Sequence, residues 1–353
     1  MKAHGIDIGF GFTKATNGKD MVIFKSVLGE PVDIQFVLNP AVNDGLRSLH
    51  IVLDGQSYFV GDFAEQQSNA RQFTLDQESL ISQFAKALAL TAVGQLNSSY
   101  DIINVVSGLP VGFFRQYHQR LSKTLAGSHE ITFKTAGGIS ESRKFSIQRI
   151  KIIPQPLGTL LNLIMNDMGA IVNERLTKQK VGIVDIGFRT TDFCLFDALR
   201  YVERGSSTTD TGMSRCFGVL SKKLREETGV DVELYRMYDA VEKGFIRIRG
   251  KEVNISKAKE RLFENAARTI AGDMNRLWAD DWDMDAIVVT GGGATALTKY
   301  LQPLVTGNII PSDPASDQRL NNVKGYVKYA RHLWGSAEAE TPNPAPASSY
   351  GEG

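Results

Sequence analysis

The chain has 353 residues, 42% hydrophobic and 22% charged, which suits about two globular domains and excludes both a disulfide-stapled miniprotein and a disordered body. Its 40 basic and 39 acidic residues leave a formal charge of +1, so no bulk field draws it to nucleic acid or an anionic membrane. The two cysteines, Cys194 and Cys216, lack zinc or disulfide spacing, and the five histidines form no i,i+3 or i,i+4 pair, so the sequence indicates neither a protein-built metal site nor an oxidising compartment.

Asp7 falls where a secretory signal needs its apolar stretch, and no apolar run of about 18 residues follows. The expectation is a soluble, cytoplasmic protein with no direct membrane contact.

In chain order, a short strand leads into Asp7-Ile8-Gly9-Phe10-Gly11-Phe12-Thr13-Lys14, and Asn17-Gly18 then predicts a hairpin into Met21 to Phe24. Residues at about 30–75 read as a small inserted subdomain holding the hairpin Ile51 to Val60. Asp76 to Leu96 carries Leu80, Ile81, Phe84, Leu88 and Val93 at helical spacing and is predicted as one helix. Ile102 to Pro110 reads as a buried strand ended by a turn, and Phe113 to Leu125 as an amphipathic helix.

The opening motif is then echoed by Asp185-Ile186-Gly187-Phe188-Arg189-Thr190-Thr191-Asp192, so two similar units are expected to face each other. Helices are predicted at about 212–227, 231–243 and 256–278, and the strand Ala286 to Thr290 runs into Gly291-Gly292-Gly293 and another helix. Strands alternating with helices predict an α/β fold with mostly parallel or mixed sheets under helical cover. Ser336 to Gly353, rich in Ala, Glu, Pro, Ser and Gly, predicts a disordered tail.

A glycine turn after a strand lets backbone amides approach phosphate oxygens, and Gly9 and Gly11 are placed for that. Lys14 at the loop's edge supplies a point charge for a β- or γ-phosphate. Asp7 and Asp185, one from each unit, would face a shared cleft and hold Mg²⁺ through water. Taken singly, such a motif reads more readily as a strand ending in an ordinary turn, and its recurrence reverses that preference in favour of the phosphate reading. Gly291-Gly292-Gly293, between a strand and a helix, makes an anion or nucleotide seat.

The order of these elements over about residues 1–335 resembles the actin-like ATPase superfamily. The spacing of the first loop, Ile150-Lys151-Ile152-Ile153-Pro154-Gln155-Pro156, and Asn321 to Tyr326 resemble its plasmid-segregation ParM/StbA branch. The resemblance implies a duplicated, ribonuclease H-like two-domain fold with a nucleotide cleft between the halves: domain I at 1–155, domain II at 156–335 and a tail at 336–353.

It also implies that Gly9, Phe10, Gly11, Phe12, Thr13 and Lys14 form the first phosphate loop, and Gly187, Thr190 and Thr191 the second. Gly291, Gly292 and Gly293 then take the adenosine position. Gly212 borders the nucleotide in the family, though a plain helix start explains it too. Gln155 falls where the branch positions its attacking water; glutamine orients water but is no strong base. Without its flanking motifs it is a polar residue opening a helix. Arg189 departs from the family's loop and either adds a phosphate contact or covers the loop. Lys257, Glu260 and Arg261 share a helix face where relatives approach the base, or a solvated charged face.

Function follows from the same resemblance. ATP/ADP and Mg²⁺ are the implied cofactors, with Gln155, Asp185 and Asp7 catalytic and Asp7 and Asp185 near the metal. The implied partners are further copies of the chain in a filament and an adaptor protein bound to plasmid centromere DNA. A small-molecule kinase of the same superfamily and a nucleotide-binding scaffold without turnover are the alternatives.

Overall fold

The first unit begins with β1 (Lys2–Ile8), β2 (Phe12–Thr16) and β3 (Met21–Lys25), an antiparallel meander whose register sets Asp7 opposite Lys14 and Ile8 opposite Thr13. The turn into β3 follows the sequence signal: Asn17 accepts from the Lys19 and Asp20 amides at 2.9 and 2.7 Å, and Gly18 takes φ +85°. This computed structural model describes residues 2–34, 48–134, 139–311 and 317–335. The tail expected at 336–353 and residues 35–47 of the expected insertion lie outside them.

The insertion contributes β4 (Leu28–Gly29), β5 (His50–Leu53), β6 (Gln56–Val60), α1 (Asp62–Gln67) and β7 (Arg71–Gln72). The helix expected over Asp76 to Leu96 is broken in two, α2 (Gln77–Leu80) and α3 (Gln83–Leu96). Two short polar side chains compete as caps there: Asp76 accepts from the Ser79 amide at 2.7 Å, and Ser82, in extended conformation, from the Phe84 amide at 3.3 Å. Beyond lie β8 (Asp101–Leu109), α4 (Val111–Leu125), β9 (Gly127–Lys134) and β10 (Ser140–Pro154). All ten strands join one sheet, ordered β3, β2, β1, β8, β10, β9, β5, β6, β4, β7, so the insertion's strands extend the main sheet through the β5 and β9 pairing.

Two further helices, α5 (Gln155–Ile164) and α6 (Glu174–Thr177), lead into the second unit. There β11 (Lys180–Ile186), β12 (Thr191–Asp197) and β13 (Arg200–Thr209) repeat the opening meander, with Asp185 opposite Asp192. Next come α7 (Met213–Thr228), α8 (Met237–Lys243), a separate hairpin of β14 (Phe245–Ile248) and β15 (Lys251–Asn254), and α9 (Ser256–Leu277). The helix expected at 231–243 starts only at Met237, after a single 3₁₀ turn. Finally β16 (Ala286–Thr290), α10 (Ala294–Leu301), β17 (Ile309–Pro311) and α11 (Asn321–Trp334) close the chain, the strands giving a five-stranded sheet ordered β13, β12, β11, β16, β17.

The two sheets face each other across α5 and α11. Val184, Ile186, Phe193 and Leu195 pack outward under α7, α9 and α10, while Val181, Ile183, Cys194 and Phe196 pack inward with Leu160 of α5 and Tyr326 of α11. Period-2 alternation then fixes where the acids point: Asp185 shares the inward face of Val181 and Ile183. On β1, Ile6 and Ile8 join the outer core with α3. Gly5 meets α11 instead, its added Cβ falling 2.4 Å from the Val323 carbonyl oxygen, so Asp7 faces inward as well. The two-unit α/β fold expected from the repeated motif is therefore what the chain adopts.

The interlayer helices cross where neither carries a side chain. A Cβ on Gly325 would lie 1.7 Å from the Gly158 carbonyl oxygen. Such close approach leaves the two helices in backbone contact between the sheets.

Candidate functional site

The loops after β1 and β11 are the same object built twice. Gly9 N donates to Phe12 O at 3.1 Å, and Gly187 N donates to Thr190 O at 2.9 Å. An added Cβ would stand 3.0 Å from those same acceptors in each loop, so both positions favour glycine for one geometric reason. The remaining turn amides stay available to a ligand.

Between the loops lies a cleft of about 1070 Å³. Asp7, Gly9, Phe10, Gly11, Phe12, Lys14 and Gln155 line it from the first unit and its following helix; Asp185, Gly187, Thr190, Gly291, Gly292 and Gly293 line it from the second. Three expected residues do not. Thr13 and Thr191 are fully buried and turn elsewhere, to the Ser26 hydroxyl at 2.9 Å and the Thr211 carbonyl at 3.3 Å. Gly212 backs the second loop, its amide donating to Arg189 O at 3.2 Å. Of the charged trio on α9, Glu260 reaches the cleft while Lys257 and Arg261 do not line it.

At the floor, Asp7 accepts from Lys14 Nζ at 2.8 Å and from Gln155 Nε2 at 3.0 Å. Lys14 is thus an ammonium held at the loop's edge by a carboxylate, and Gln155, the first residue of α5, is aimed by the same carboxylate. Asp185 is buried, and burial pushes its carboxyl up to about 6; the hydrogen bond from Asn322 opposes that shift and the nearby Asp7 adds to it. Asn322 Nδ2 reaches Asp185 at 2.6 Å, and Thr159 Oγ1 donates to Asn322 Oδ1 at 2.8 Å. Asn322 is the second residue of α11, and the sequence reading used it only as part of the Asn321 to Tyr326 resemblance, assigning it no role of its own.

Asp192 takes the place in the second meander that Lys14 takes in the first. It accepts from Val111 N at 2.8 Å and from the Thr208 hydroxyl, tying β12 and β13 to the start of α4. Burial raises its carboxyl to about 7 against those hydrogen bonds, with Asp185 contributing in the same direction.

Gly291 and Gly293 sit hard against the second loop. Gly291 has φ +89°, and a Cβ there would fall 2.2 Å from Asp185 Oδ1; Gly293 N donates to Ile186 O at 2.8 Å. Arg189 donates to the Leu75 carbonyl and pairs with Asp210, so it covers the loop and bridges the units.

Aromatic rings close the lips. The Tyr238 ring lies tilted 4.7 Å from Phe12 of the first unit and 5.1 Å from Phe188 of the second, centroid to centroid. Its hydroxyl is buried without a hydrogen-bond partner among the described residues and presses on Gly11, where a Cβ would lie 2.0 Å away. Arg236 and Glu65 add an ion pair at 3.3 Å across the same lips. Phe12 belongs to the expected first loop, but Tyr238, Arg236 and Glu65 were not singled out from sequence, since an aromatic at helical spacing reads as core.

Donor chemistry limits what the cleft can hold. Among the described residues no three His, Cys, Asp or Glu side chains gather into a metal site. Two carboxylates, an ammonium, a carboxamide and rows of loop amides suit a polyanion that brings its own cation ligands. No described helix is long and apolar enough to cross a membrane.

Comparison with known proteins agrees with this construction. Residues 5–158 match the N-terminal domain of actin-like proteins, and residues 183–303 match the C-terminal domain of the archaeal actin homologue, MreB-like. No curated protein sequence matches the chain. Among solved structures, an archaeal actin homologue in complex with ADP aligns at TM-score 0.75 and 22% identity, covering 96% of this chain and 100% of that one. A ParM from a 15-stranded filament of Clostridium botulinum aligns at TM-score 0.76 and 23% identity, covering 94% of this chain and 99% of that one. Apo ParM of Bacillus thuringiensis aligns at TM-score 0.58 and 17% identity over 96% of this chain and 98% of that one. With both halves matched in the expected order, the chain belongs to the actin-like proteins.

Proposed function

We propose that the chain binds ATP with Mg²⁺ in this cleft, hydrolyses it, and assembles into filaments whose stability follows the nucleotide state. The observation that carries the reading is the facing pair of glycine loops, with Asp7 and Asp185 converging beside Gln155. Lys14 and the amides after Gly9 and Gly187 fit the phosphates; Gly291, Gly292 and Gly293 fit the nucleoside end. Asp7 and Asp185 would hold Mg²⁺, which would supply neutralisation of phosphate charge there. Gln155, fixed through Asp7, orients the attacking water, and Asp185 lines the same cleft from the second unit.

The filament part is supported by likeness to ParM structures, one of them a filament. Segregation of plasmid DNA through an adaptor protein, in the cytoplasm, extends that likeness. A cleft between halves joined at a helix crossing gives hydrolysis a route to subunit shape.

Sedimentation with simultaneous phosphate release tests both parts. Pelleting above a critical concentration with ATP and Mg²⁺, and not with ADP, is expected. Turnover without pelleting overturns the filament part and, where phosphate passes to a sugar or carboxylate instead of water, favours the kinase. Binding without phosphate release favours the scaffold.

A further inference from the structure

The second unit carries opposite charge at its two ends, and the acidic end presents a tryptophan to solvent. Residues 280–285, Asp-Asp-Trp-Asp-Met-Asp, hold four acids and no base. Trp282 is 90% exposed, whereas Trp278 one helical turn earlier is buried and donates its indole N–H to Gly205 O at 2.8 Å. A soluble surface rarely leaves an indole so bare without a use for it. Lys180 pairs with Asp281 and Asp283, and Arg204 with Asp281, which leaves Asp280 and Asp285 to keep the exposed rim negative.

Residues 243–251 hold four bases, Lys243, Arg247, Arg249 and Lys251, and no acid. Three of them lie on the β14 and β15 hairpin, a two-stranded sheet that pairs with no other described strand. Ile246 and Val253 pack toward the core, so Arg247 and its neighbour Glu252 face out. Arg247, Arg249 and Lys251 are exposed, and none has an acid within ion-pair distance among the described residues.

The 22 residues of α9 separate the two surfaces, about 33 Å at 1.5 Å per residue. Ile255 N, at its start, bonds to Gly244 O beside the hairpin. At its other end Trp278 leads into the acidic loop, which Asp285 anchors to the beginning of β11 through Lys180 N at 2.8 Å. Complementary patches at opposite ends of one body cannot satisfy each other within a monomer. Translation along the α9 axis brings the acidic end of one copy onto the basic end of the next, a heterologous contact that leaves a free patch at each end and therefore propagates.

We infer that the Trp282 loop of one copy docks on the β14 and β15 hairpin of a second copy, forming the longitudinal contact of the polymer. This rests on the assembly reading above and adds the surfaces that carry it. The indole is the anchor, set against the outward arginine face where stacking on guanidinium suits both groups, and the flanking aspartates set the register.

Two singly blocked variants test it. Trp282→Ala blocks one end, and Arg249→Glu with Lys251→Glu blocks the other. Each is expected to raise the critical concentration for pelleting at least tenfold while binding a fluorescent ATP analogue as wild type does. Mixed, they are expected to give one-to-one dimers by analytical ultracentrifugation, because each supplies the surface the other lacks. Combining Asp280→Lys and Asp283→Lys with the two hairpin reversals in one chain is expected to restore pelleting. Wild-type protein that assembles alongside equally competent variants overturns the inference alone and assigns Trp282 to a different partner. Failure of the charge swap to restore pelleting overturns the pairing of these two surfaces. Wild-type protein that stays monomeric in every nucleotide state overturns the assembly reading and this inference with it.

Discussion

Asn322, the second residue of α11, donates to the buried carboxylate of Asp185 on β11 at 2.6 Å. Its own carbonyl oxygen is held by Thr159 of α5 at 2.8 Å, so the interlayer helices position an acid of the second sheet. Removing that donor leaves a buried carboxylate with one fewer partner, a loss of about 1.5–3 kcal/mol. Asn322→Ala is therefore expected to lower the thermal midpoint of the nucleotide-free protein and to slow phosphate release at least tenfold. ATP affinity, set chiefly by the loops and Lys14, should change much less. Equal losses in affinity and turnover would show that Asn322 acts on the whole cleft and does not position Asp185.

Asp192 gives a pH dependence whose sign can be worked out. Its carboxyl is raised to about 7 in the folded protein, against a usual 3.8. The folded state therefore binds the proton more tightly, and the associated stability is full below about 4 and lost as pH rises through 7. His4 acts oppositely, since burial lowers it to about 4, and its contribution is lost as pH falls. The readout must be the difference between wild type and Asp192→Asn, which keeps an acceptor for Val111 N. In the metal-free, nucleotide-free protein, wild type should gain on the order of 1–3 kcal/mol relative to the variant between pH 8 and pH 5. Parallel unfolding curves across that range would place the proton elsewhere.

The crossing of α5 and α11 separates two glycine substitutions that look alike in sequence. Gly325→Ala puts a Cβ 1.7 Å from the Gly158 carbonyl oxygen and must push the helices apart, at about 3 kcal/mol or more. Gly272, inside α9, has open space at the same position, so Gly272→Ala should stabilise by about 0.5–1 kcal/mol. Denaturant unfolding of the pair decides the matter, and a tolerated Gly325→Ala means that the helices are not in fixed contact.

Much of this was legible in the sequence because it is local. The duplicated Asp-x-Gly turns, the triple glycine after a β-branched strand and the meander around Asn17-Gly18 each fix a short stretch of backbone, and period 2 then aims Asp7 and Asp185 to the same side. Residues that act across the cleft left no such trace. Asn322, Thr159 and Tyr238 gain their meaning from partners more than 100 residues away, and each satisfies an ordinary local reading as a cap or a core residue. The same limit explains Thr13 and Thr191: they belong to the loop motifs by position, but strand alternation turns them from the cleft. Two caps six residues apart were likewise enough to break a helix that hydrophobic spacing alone predicted as continuous.

Tyr238 offers a test of how the cleft closes. Its hydroxyl is buried against Gly11 without a partner among the described residues, so in the nucleotide-free protein it is a desolvated donor with none of them to bind. Tyr238→Phe should then stabilise that state by about 1 kcal/mol, since the ring contacts with Phe12, Phe188 and Phe217 are kept. Gly11→Ala should do the reverse, because the added methyl would stand 2.0 Å from the hydroxyl oxygen and force the ring off the first loop. In a Tyr238→Ala background the Gly11 substitution should lose most of its effect, a coupling of at least 1 kcal/mol in a double-mutant cycle. Calorimetry with and without ATP and Mg²⁺ reads wild type and the four variants. If the hydroxyl finds its partner on the bound nucleotide, Tyr238→Phe will show a higher midpoint alone and a smaller gain on adding ATP. A variant that is less stable alone would mean that the hydroxyl is already satisfied, and that the lips close for reasons other than the ring on Gly11.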